Sequence, residues 1–190
     1  MARAENDSPV SILTERLLLR PFVPDDDDAM ALVFDDGELL RFWGPPLDRD
    51  AVRERIASNR ARFEADDFAR WAIVLWASGE LVGDAGLTRT DVEGVEEVEL
   101  GWVVRRDHGG RGIATEAGGA WRDHAFGRLG LDRIVSMISP ENAASRRVAE
   151  KLGMSIEREA FWNDAPHLMY VLERSAAIQA SYGPRVRFRR

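Results

Sequence analysis

The spacing of apolar residues in the first half of the chain predicts a strand, two helices and then three further strands. Thr14 to Phe22 has the apolar content of a short strand, and the acidic run that follows favours the start of a helix. Beyond the break at Gly44-Pro45-Pro46, apolar residues spaced for one buried side predict a helix from Asp48 to about Ala65. Three β-rich segments, at 70–76, 81–88 and 96–104, then predict an antiparallel meander.

In the second half, the pattern predicts two helices and three strands. Apolar residues recur every four positions from Ile113 to Leu129, as in a helix that packs along one face. Pro140-Glu141-Asn142 opens a shorter helix, which Gly153 ends at its C-cap. The strands are predicted at 131–139, 155–161 and 167–172. No internal repeat is present, so the pattern predicts one α/β unit.

Length and composition are consistent with one domain and one core. The chain has 190 residues, of which 45% are hydrophobic. We predict a single domain over residues 10–174 and a basic C-terminal tail over 175–190, with four arginines between Arg185 and Arg190. The tail is interpreted as a solvated segment, with weak binding of an anion or a partner as the alternative.

Charge and cysteine content exclude several classes of function. The net charge of −7 argues against nucleic acid as a partner. The longest apolar run, Trp71 to Ala77, is too short to cross a membrane, and the N-terminus lacks a secretion signal, so we expect a soluble cytoplasmic protein that binds no membrane. Without cysteine there is no thiolate ligand and no cysteinyl intermediate, and the three scattered histidines predict no metal site.

A glycine-rich turn precedes the helix that begins near Ile113. A turn of this kind presents backbone N–H groups and the positive end of the helix dipole to an anion, and glycine lets a phosphate approach closely. No Gly-Lys-Ser/Thr follows, and a G-x-G-x-x-G count from Gly110 meets Thr115 where glycine is required. Taken alone, the turn leaves two alternatives: a phosphate site or a tight connection.

Several segments together resemble a known family. They are Thr14-Glu15-Arg16-Leu17, Glu99-Leu100-Gly101-Trp102, Gly110-Arg111-Gly112-Ile113-Ala114-Thr115-Glu116-Ala117, Pro140-Glu141-Asn142-Ala143-Ala144-Ser145 and Glu150-Lys151-Leu152-Gly153-Met154. They resemble the GNAT superfamily of N-acyltransferases, and within it the branch that includes the ribosomal-protein alanine acetyltransferases. The resemblance implies an α/β (α+β) fold with a mixed, mostly antiparallel sheet of about seven strands, splayed between the fourth and fifth and flanked by four helices.

The same resemblance implies acetyl-CoA as co-substrate, lying in the opening of the sheet. The residues that it assigns to cofactor binding are Trp102, Val103 and Val104 for pantetheine, Gly109, Gly110, Arg111, Gly112, Ile113, Ala114 and Thr115 for pyrophosphate, and Asn142 for the pantetheine arm. Capping of the helix is the alternative role of Asn142. The family pattern has a long polar residue where this chain has Gly109, so we expect weaker side-chain clamping. Arginines that could supply positive charge are Arg105, Arg106, Arg111, Arg146 and Arg147.

Two residues are candidates for catalysis. Deprotonating the acceptor at pH 7.4 costs about 0.6 kcal/mol for an α-amine and about 4 kcal/mol for a lysine side chain. Glu99, where the family often has a carboxylate, is the candidate base; Glu97, water, or a merely solvent-facing role for Glu99 are the alternatives. The family's tyrosine position is Ala149 here, so Ser145 is assigned a hydrogen bond to the leaving thiolate.

The predicted function is direct transfer of acetyl from acetyl-CoA to a primary amine in a ternary complex. A protein N-terminus and a small molecule remain alternative acceptors, and a non-catalytic acyl-CoA-binding module is the alternative function. The acidic segment Asp91 to Glu99 is expected to line the acceptor side and attract a cationic amine, or else to be a charged hairpin loop. The acceptor pocket is predicted between the loop of the first two helices, with Phe42, Trp43 and Pro45, and the hairpin at about 161–167, which carries Trp162; core packing and a homodimer contact are the alternatives for these aromatics.

Overall fold

A computed structural model describes residues 10–176 of the chain, which form one eight-stranded sheet and five α-helices. The strands are β1 (Ile12–Leu13), β2 (Leu17–Arg20), β3 (Arg70–Leu75), β4 (Leu81–Val92), β5 (Val95–Val104), β6 (Arg133–Ile138), β7 (Ser155–Trp162) and β8 (Ala165–Glu173). The helices are α1 (Asp27–Phe34), α2 (Gly37–Leu40), α3 (Arg49–Asp66), α4 (Ile113–Gly127) and α5 (Ala143–Lys151).

The sheet is splayed at its centre. Its strand order is β1-β2-β3-β4-β5-β6-β8-β7, and all neighbours are antiparallel except β5 and β6. Those two parallel strands meet at a single pair, Glu99 opposite Val135, so their backbones diverge away from it. β5 and β6 are the fourth and fifth of the predicted strands. The predicted fold class and the position of the splay are therefore confirmed.

The numbers of strands and helices differ slightly from the prediction. The predicted strand at 14–22 is a turn followed by β2, because the Leu17 N–H donates to Thr14 Oγ1 and the chain reverses there. β1 precedes this turn and pairs with β2, which makes eight strands. The additional helix α2 is a single turn, whose first N–H groups donate to the Asp36 side chain.

Helices pack on both faces of the sheet and leave the splay between β5 and β6 open. α4 packs against one face, where Trp71 of β3 and Trp121 meet edge-to-face with ring centroids 4.7 Å apart. The predicted apolar face of α4 is buried as expected from its four-residue spacing. On the opposite face, α1 and α3 bury Phe34 and Ile56 against β3. With both faces packed, the splay remains the route into the sheet.

Parts of the prediction lie outside this description or remain predictions. Most of the basic tail predicted at 175–190, including Arg185 to Arg190, lies outside the described residues. The domain boundary at 10–174 stays a prediction. Within residues 10–176, no helix has both the length and the apolar content that a membrane span requires.

Candidate active site

The glycine-rich turn links β5 to α4 through a short 3-10 helix, Arg106–His108. Gly110 and Gly112 have φ of 72° and 80°, a left-handed backbone that favours glycine. Gly112 is the N-cap of α4, and no side chain caps that helix. Across residues 10–176, no protein acceptor takes a hydrogen bond from the N–H groups of 110–115. These N–H groups at a helix N-terminus form a geometry suited to phosphate.

The geometry of the turn also explains why position 109 is glycine. A Cβ at Gly109 would lie 2.9 Å from the carbonyl oxygen of Arg106, which is closer than side-chain carbons normally approach backbone. The long polar residue of the family pattern would therefore require the turn to shift. The side chains of Arg147 and Lys151 line the cavity beside the turn and supply positive charge there, whereas Arg106, which also lines it, pairs with Asp36 at 2.9 Å.

The other expected arginines are engaged elsewhere. Arg105 pairs with Glu80 and Asp107, and Arg146 donates to the Tyr170 hydroxyl and the Pro140 carbonyl.

Arg16 holds the glycine-rich turn in place. Its Nη1 donates to the Arg111 carbonyl at 2.9 Å, and its Nε donates to Glu116 Oε2 at 2.6 Å in the first turn of α4. Burial raises the pKa of Glu116, but hydrogen bonds from Thr14 and from Arg16 outweigh it and leave the pKa below its usual range. Arg16 thus neutralises a carboxylate that would otherwise repel a bound phosphate.

Replacing Arg16 with alanine is expected to raise the KM for acetyl-CoA about tenfold with little change in kcat, because the turn loses its contact and Glu116 loses its partner. The double variant Arg16→Ala/Glu116→Gln should recover part of the loss, since the unpaired charge is gone. Arg128→Ala, at the exposed C-terminal end of α4, is the control. An unchanged KM in Arg16→Ala would contradict this role.

Two cavities lie at the splay. The turn cavity, of about 550 Å³, is lined by the glycine-rich turn and the start of α5. The sheet cavity, of about 590 Å³, is lined by β4, β5, β6, part of α3 and the β7–β8 hairpin. Residues that line both are Arg41, Phe42, Trp43, Trp102, Asn142 and Ser145. A ligand in one cavity can therefore reach a ligand in the other at this junction.

Glu99 lines the sheet cavity at the point where β5 and β6 meet. The Met137 N–H of β6 donates to Glu99 Oε1 at 3.5 Å. Burial raises the pKa of Glu99 above its ordinary value, against the opposing effects of Arg70, the Met137 N–H and His167. Glu97, the alternative base, forms an ion pair with Arg133 at 3.2 Å and lines neither cavity. The geometry therefore favours Glu99 over Glu97.

Comparison with known proteins identifies the family. The sequence matches the acetyltransferase (GNAT) domain over residues 16–155. The chain belongs to the GNAT acetyltransferase family. A GNAT relative, the uncharacterized N-acetyltransferase p20 of Bacillus licheniformis, is 28% identical over 156 residues, which cover 81% of this chain and 86% of p20.

Solved GNAT structures have the same fold. An acetyltransferase from Agrobacterium tumefaciens has a TM-score of 0.77 and 30% identity, and the match covers 91% of this chain and 99% of that one. The ribosomal-protein-S5-alanine acetyltransferase of Vibrio fischeri has a TM-score of 0.71 and 20% identity, with coverage of 87% and 97%. The predicted resemblance to that branch is thereby confirmed at the level of the fold.

Family membership establishes the class of reaction. The protein is an acetyl-CoA-dependent GNAT N-acetyltransferase, which transfers an acetyl group to an amine. The residues predicted to bind the cofactor line the turn cavity, with one exception. Arg111 does not line it; its side chain is exposed, and its carbonyl accepts the hydrogen bond from Arg16.

Asn142 and Ser145 lie at the junction of the two cavities. Asn142 is the N-cap of α5, and its Oδ1 accepts from the Ser145 N–H at 3.1 Å. Its Nδ2 stays available to a ligand, so capping and cofactor contact are compatible roles. The Ser145 side chain makes no hydrogen bond to residues 10–176 and lines both cavities. Ala149, at the position of the family's tyrosine, is fully buried and has no hydroxyl group to donate to the thiolate.

The acidic segment does not line the acceptor side as a whole. Glu99 is its one member in the sheet cavity wall. The other side chains are paired elsewhere: Glu93 with Arg158, Glu96 with Arg89, Glu97 with Arg133, and Asp91 with the Gly94 N–H. Each carboxylate is therefore satisfied within the hairpin or against the neighbouring strands, which agrees with the alternative of a charged hairpin loop.

The aromatic residues do line the sheet cavity. Phe42 and Trp43 lie on its wall with Gly44, whereas Pro45 does not. Trp162 completes the wall opposite, where its Nε1 donates to Thr90 Oγ1 at 2.9 Å. Its ring meets His167 edge-on at a centroid distance of 5.2 Å.

Sequence reasoning missed several residues of the sheet cavity. His167 is buried in the cavity wall, a position that its isolated place in the sequence does not indicate. Among residues 10–176, no group of three or more potential ligands is arranged to hold a metal. Arg55, Arg62 and Arg70 were not singled out. One signal was present: Asp84 lies within an apolar strand, where a buried carboxylate requires a cationic partner.

Proposed function

We propose that this GNAT enzyme acetylates a primary amine that enters the sheet cavity, by direct attack on acetyl-CoA held in the turn cavity. The observation that supports the proposal most strongly is the shared wall of the two cavities at Trp102, Asn142 and Ser145, with Glu99 on the acceptor side. This arrangement suits a ternary complex, because amine and thioester can meet without a covalent enzyme intermediate. The chain also contains no cysteine that could form one.

The turn cavity fits the co-substrate. The unpaired N–H groups of 110–115 would hold the pyrophosphate, and the β5 backbone at Trp102, Val103 and Val104 would lie along pantetheine. When bound, acetyl-CoA supplies an acetyl thioester. Asn142 Nδ2 would donate to the pantetheine arm, since its Oδ1 already caps α5.

In the proposed step, Glu99 takes a proton from the amine as the nitrogen attacks. A C–N bond forms to the acetyl carbon, the C–S bond breaks, and coenzyme A leaves as a thiolate. Ser145 donates its hydroxyl hydrogen bond to that sulfur, which afterwards takes a proton from solvent. The raised pKa of Glu99 suits it to this work, because a base is most effective when its pKa approaches the working pH.

Ser145→Ala is expected to lower kcat about tenfold while the affinity for acetyl-CoA is retained, because the lost hydrogen bond stabilises charge that develops only as the thiolate leaves. Ser155→Ala, at the exposed start of β7 and outside both cavities, is the matched control. Wild-type kcat in Ser145→Ala would show that the serine has no part in stabilising the thiolate.

A panel of primary amines tests the function as a whole, with release of free coenzyme A as the readout. The proposal predicts amine-dependent release at a steady rate together with an N-acetylated product. If the protein binds acetyl-CoA but none of the small amines or N-terminal peptides causes release of coenzyme A, the non-catalytic acyl-CoA-binding module is supported instead.

A further inference from the structure

Three arginines lie on a part of the sheet cavity wall that the turn cavity does not share. Arg55 and Arg62 lie seven residues apart on α3 and therefore share a face, and Arg70 begins β3 beside them. The Asn59 side chain, between them on α3, accepts from the Arg70 N–H at 3.2 Å. A Cβ at Gly101 would collide with Arg70 Nη1, so glycine there leaves room for the guanidinium.

The charges of this group are incompletely balanced. Asp84 is fully buried and accepts from Arg70 Nε at 2.7 Å and from Arg55 Nη2 at 3.1 Å. Arg62 forms no ion pair within residues 10–176. Three guanidinium groups thus face the carboxylates of Asp84 and Glu99, and at least one positive charge remains in excess.

The excess of positive charge is significant because part of it is buried, whereas arginines on the surface are surrounded by water and need no partner. Arg70 is 8% exposed, and its Nη2 lies 2.5 Å from Asp84 Oδ1, so this guanidinium is held by the buried carboxylate. The Arg55 Nε, by contrast, is buried and has no acceptor among the described residues. Burial lowers the pKa of Arg55, and repulsion from Arg70 and Arg62 adds to that effect against the attraction of Asp84. A buried donor without an acceptor is costly, and beside it Arg62 adds a cation with no ion pair in the described part of the chain; together they point to an anionic ligand.

The cofactor phosphates do not account for this site. The glycine-rich turn and its cations, Arg106, Arg147 and Lys151, line the turn cavity, whereas Arg55, Arg62 and Arg70 line only the sheet cavity. The arginines Arg41 and Arg89 also reach the sheet cavity, but each has a carboxylate partner.

We propose that the acceptor is a small amine that also carries an anionic group, a carboxylate or a phosphonate-type group, which Arg55, Arg62 and Arg70 bind while the amine faces Glu99. This inference rests on the proposed function. Guanidinium groups are suited to the task because they bind both kinds of oxyanion with paired hydrogen bonds. A small molecule is favoured over a protein terminus because the group lies inside a cavity of about 590 Å³.

The test compares matched acceptors by coenzyme A release. They are ω-amino acids with one to four methylene groups, their amides and their aminoalkylphosphonate counterparts, with kcat/KM expressed for the neutral amine so that differences in amine pKa cancel. We expect the wild type to prefer an anionic acceptor over its amide by at least tenfold. The carboxylate and phosphonate arms show which oxyanion the site takes.

Arg62→Gln is the main variant, because Arg62 is exposed where it lines the cavity and its loss leaves the ion pairs of Arg55 and Arg70 with Asp84 intact. It should reduce the preference about tenfold, because the rate with the anionic acceptors falls much more than the rate with their amides. Arg60→Gln is the control, since Arg60 is equally exposed on α3 but lines neither cavity. The inference is wrong if the amides, a diamine or an acidic peptide react as fast as the anionic acceptors or faster. It is also wrong if Arg62→Gln keeps the full preference for the anionic acceptor.

A binding measurement separates the two proposals. With the turn cavity saturated by coenzyme A, inorganic phosphate should raise the melting temperature of the wild type and of Arg60→Gln, but less that of Arg62→Gln. If phosphate shifts the melting temperatures in this way but no amine is acetylated, the proposed function is contradicted and the anion site is supported. Turnover of neutral amines without the shift would contradict the anion site alone.

Discussion

Replacing Glu99 with glutamine is expected to lower kcat/KM for the acceptor amine by about 100- to 1000-fold and to leave acetyl-CoA binding unchanged. Glutamine keeps the shape of the side chain at the junction of β5 and β6 but cannot take a proton. Because Glu99 lines only the sheet cavity, the loss falls on the amine half of the reaction. Steady-state release of coenzyme A measures the first quantity, and equilibrium titration with acetyl-CoA measures the second.

The same variant changes the dependence of activity on pH. Burial raises the pKa of Glu99, so the carboxylate ionises at higher pH than an ordinary glutamate. Since the base works only when ionised, kcat/KM of the wild type rises with pH through this raised pKa. In Glu99→Gln that acidic limb disappears, and the titration of the amine itself remains.

His167 provides the decisive control, because it lines the same cavity and is the other side chain there that could accept a proton. Its Nδ1 lies 3.0 Å from the Ala165 carbonyl, which can only accept, so Nδ1 donates there and Nε2 is the nitrogen that could take a proton from the amine. His167→Gln should keep the acidic limb assigned to Glu99. The assignment is wrong if His167→Gln loses that limb while Glu99→Gln keeps it.

The elements that the sequence predicts well are those in which local spacing and burial agree. α4 is the strongest case, since its apolar face recurs every four residues and is buried along its length. β4 is longer than predicted: the prediction ends it at residue 88, where the sequence becomes polar, whereas its pairing with β5 continues to the turn at Glu93 and Gly94. Backbone hydrogen bonds account for that extension, and they leave no pattern in the sequence because they do not depend on the side chains.

The two sides of the active site differ in how far sequence could predict them. The turn cavity comes from one continuous segment, in which Gly110 and Gly112 have conformations that favour glycine. The sheet cavity assembles side chains from separate elements, and Arg55 and Asp84, 29 residues apart, meet only when α3 packs on β4. The acidic segment suggested a cationic acceptor, but pairing with arginines removes most of those carboxylates from the cavity.

Replacing Asp84 with asparagine is expected to destabilise the fold by about 3 kcal/mol, because the change leaves the buried Arg70 and the partly buried Arg55 without their shared counter-charge. For a chain of this size, the melting temperature should fall by roughly 10 °C. Asp107→Asn is the control: Asp107 also pairs with an arginine, at 2.7 Å, but it is exposed, so a far smaller change is expected. Equal melting temperatures for the two variants would contradict the argument.

The destabilisation by Asp84→Asn should become smaller as the pH falls, because the ion pairs of Asp84 require its carboxylate to be ionised. Burial raises the pKa of Asp84, but Arg70 and Arg55 outweigh it, so the folded-state pKa lies below the ordinary aspartate value. The stability that Asp84 contributes is then fully present above that ordinary value and is lost as pH falls through the folded-state pKa. The difference between wild type and Asp84→Asn should be largest near neutral pH and narrow in acid. If the arginines also bind an anionic acceptor, phosphate should stabilise Asp84→Asn more than the wild type, because it replaces part of the missing charge.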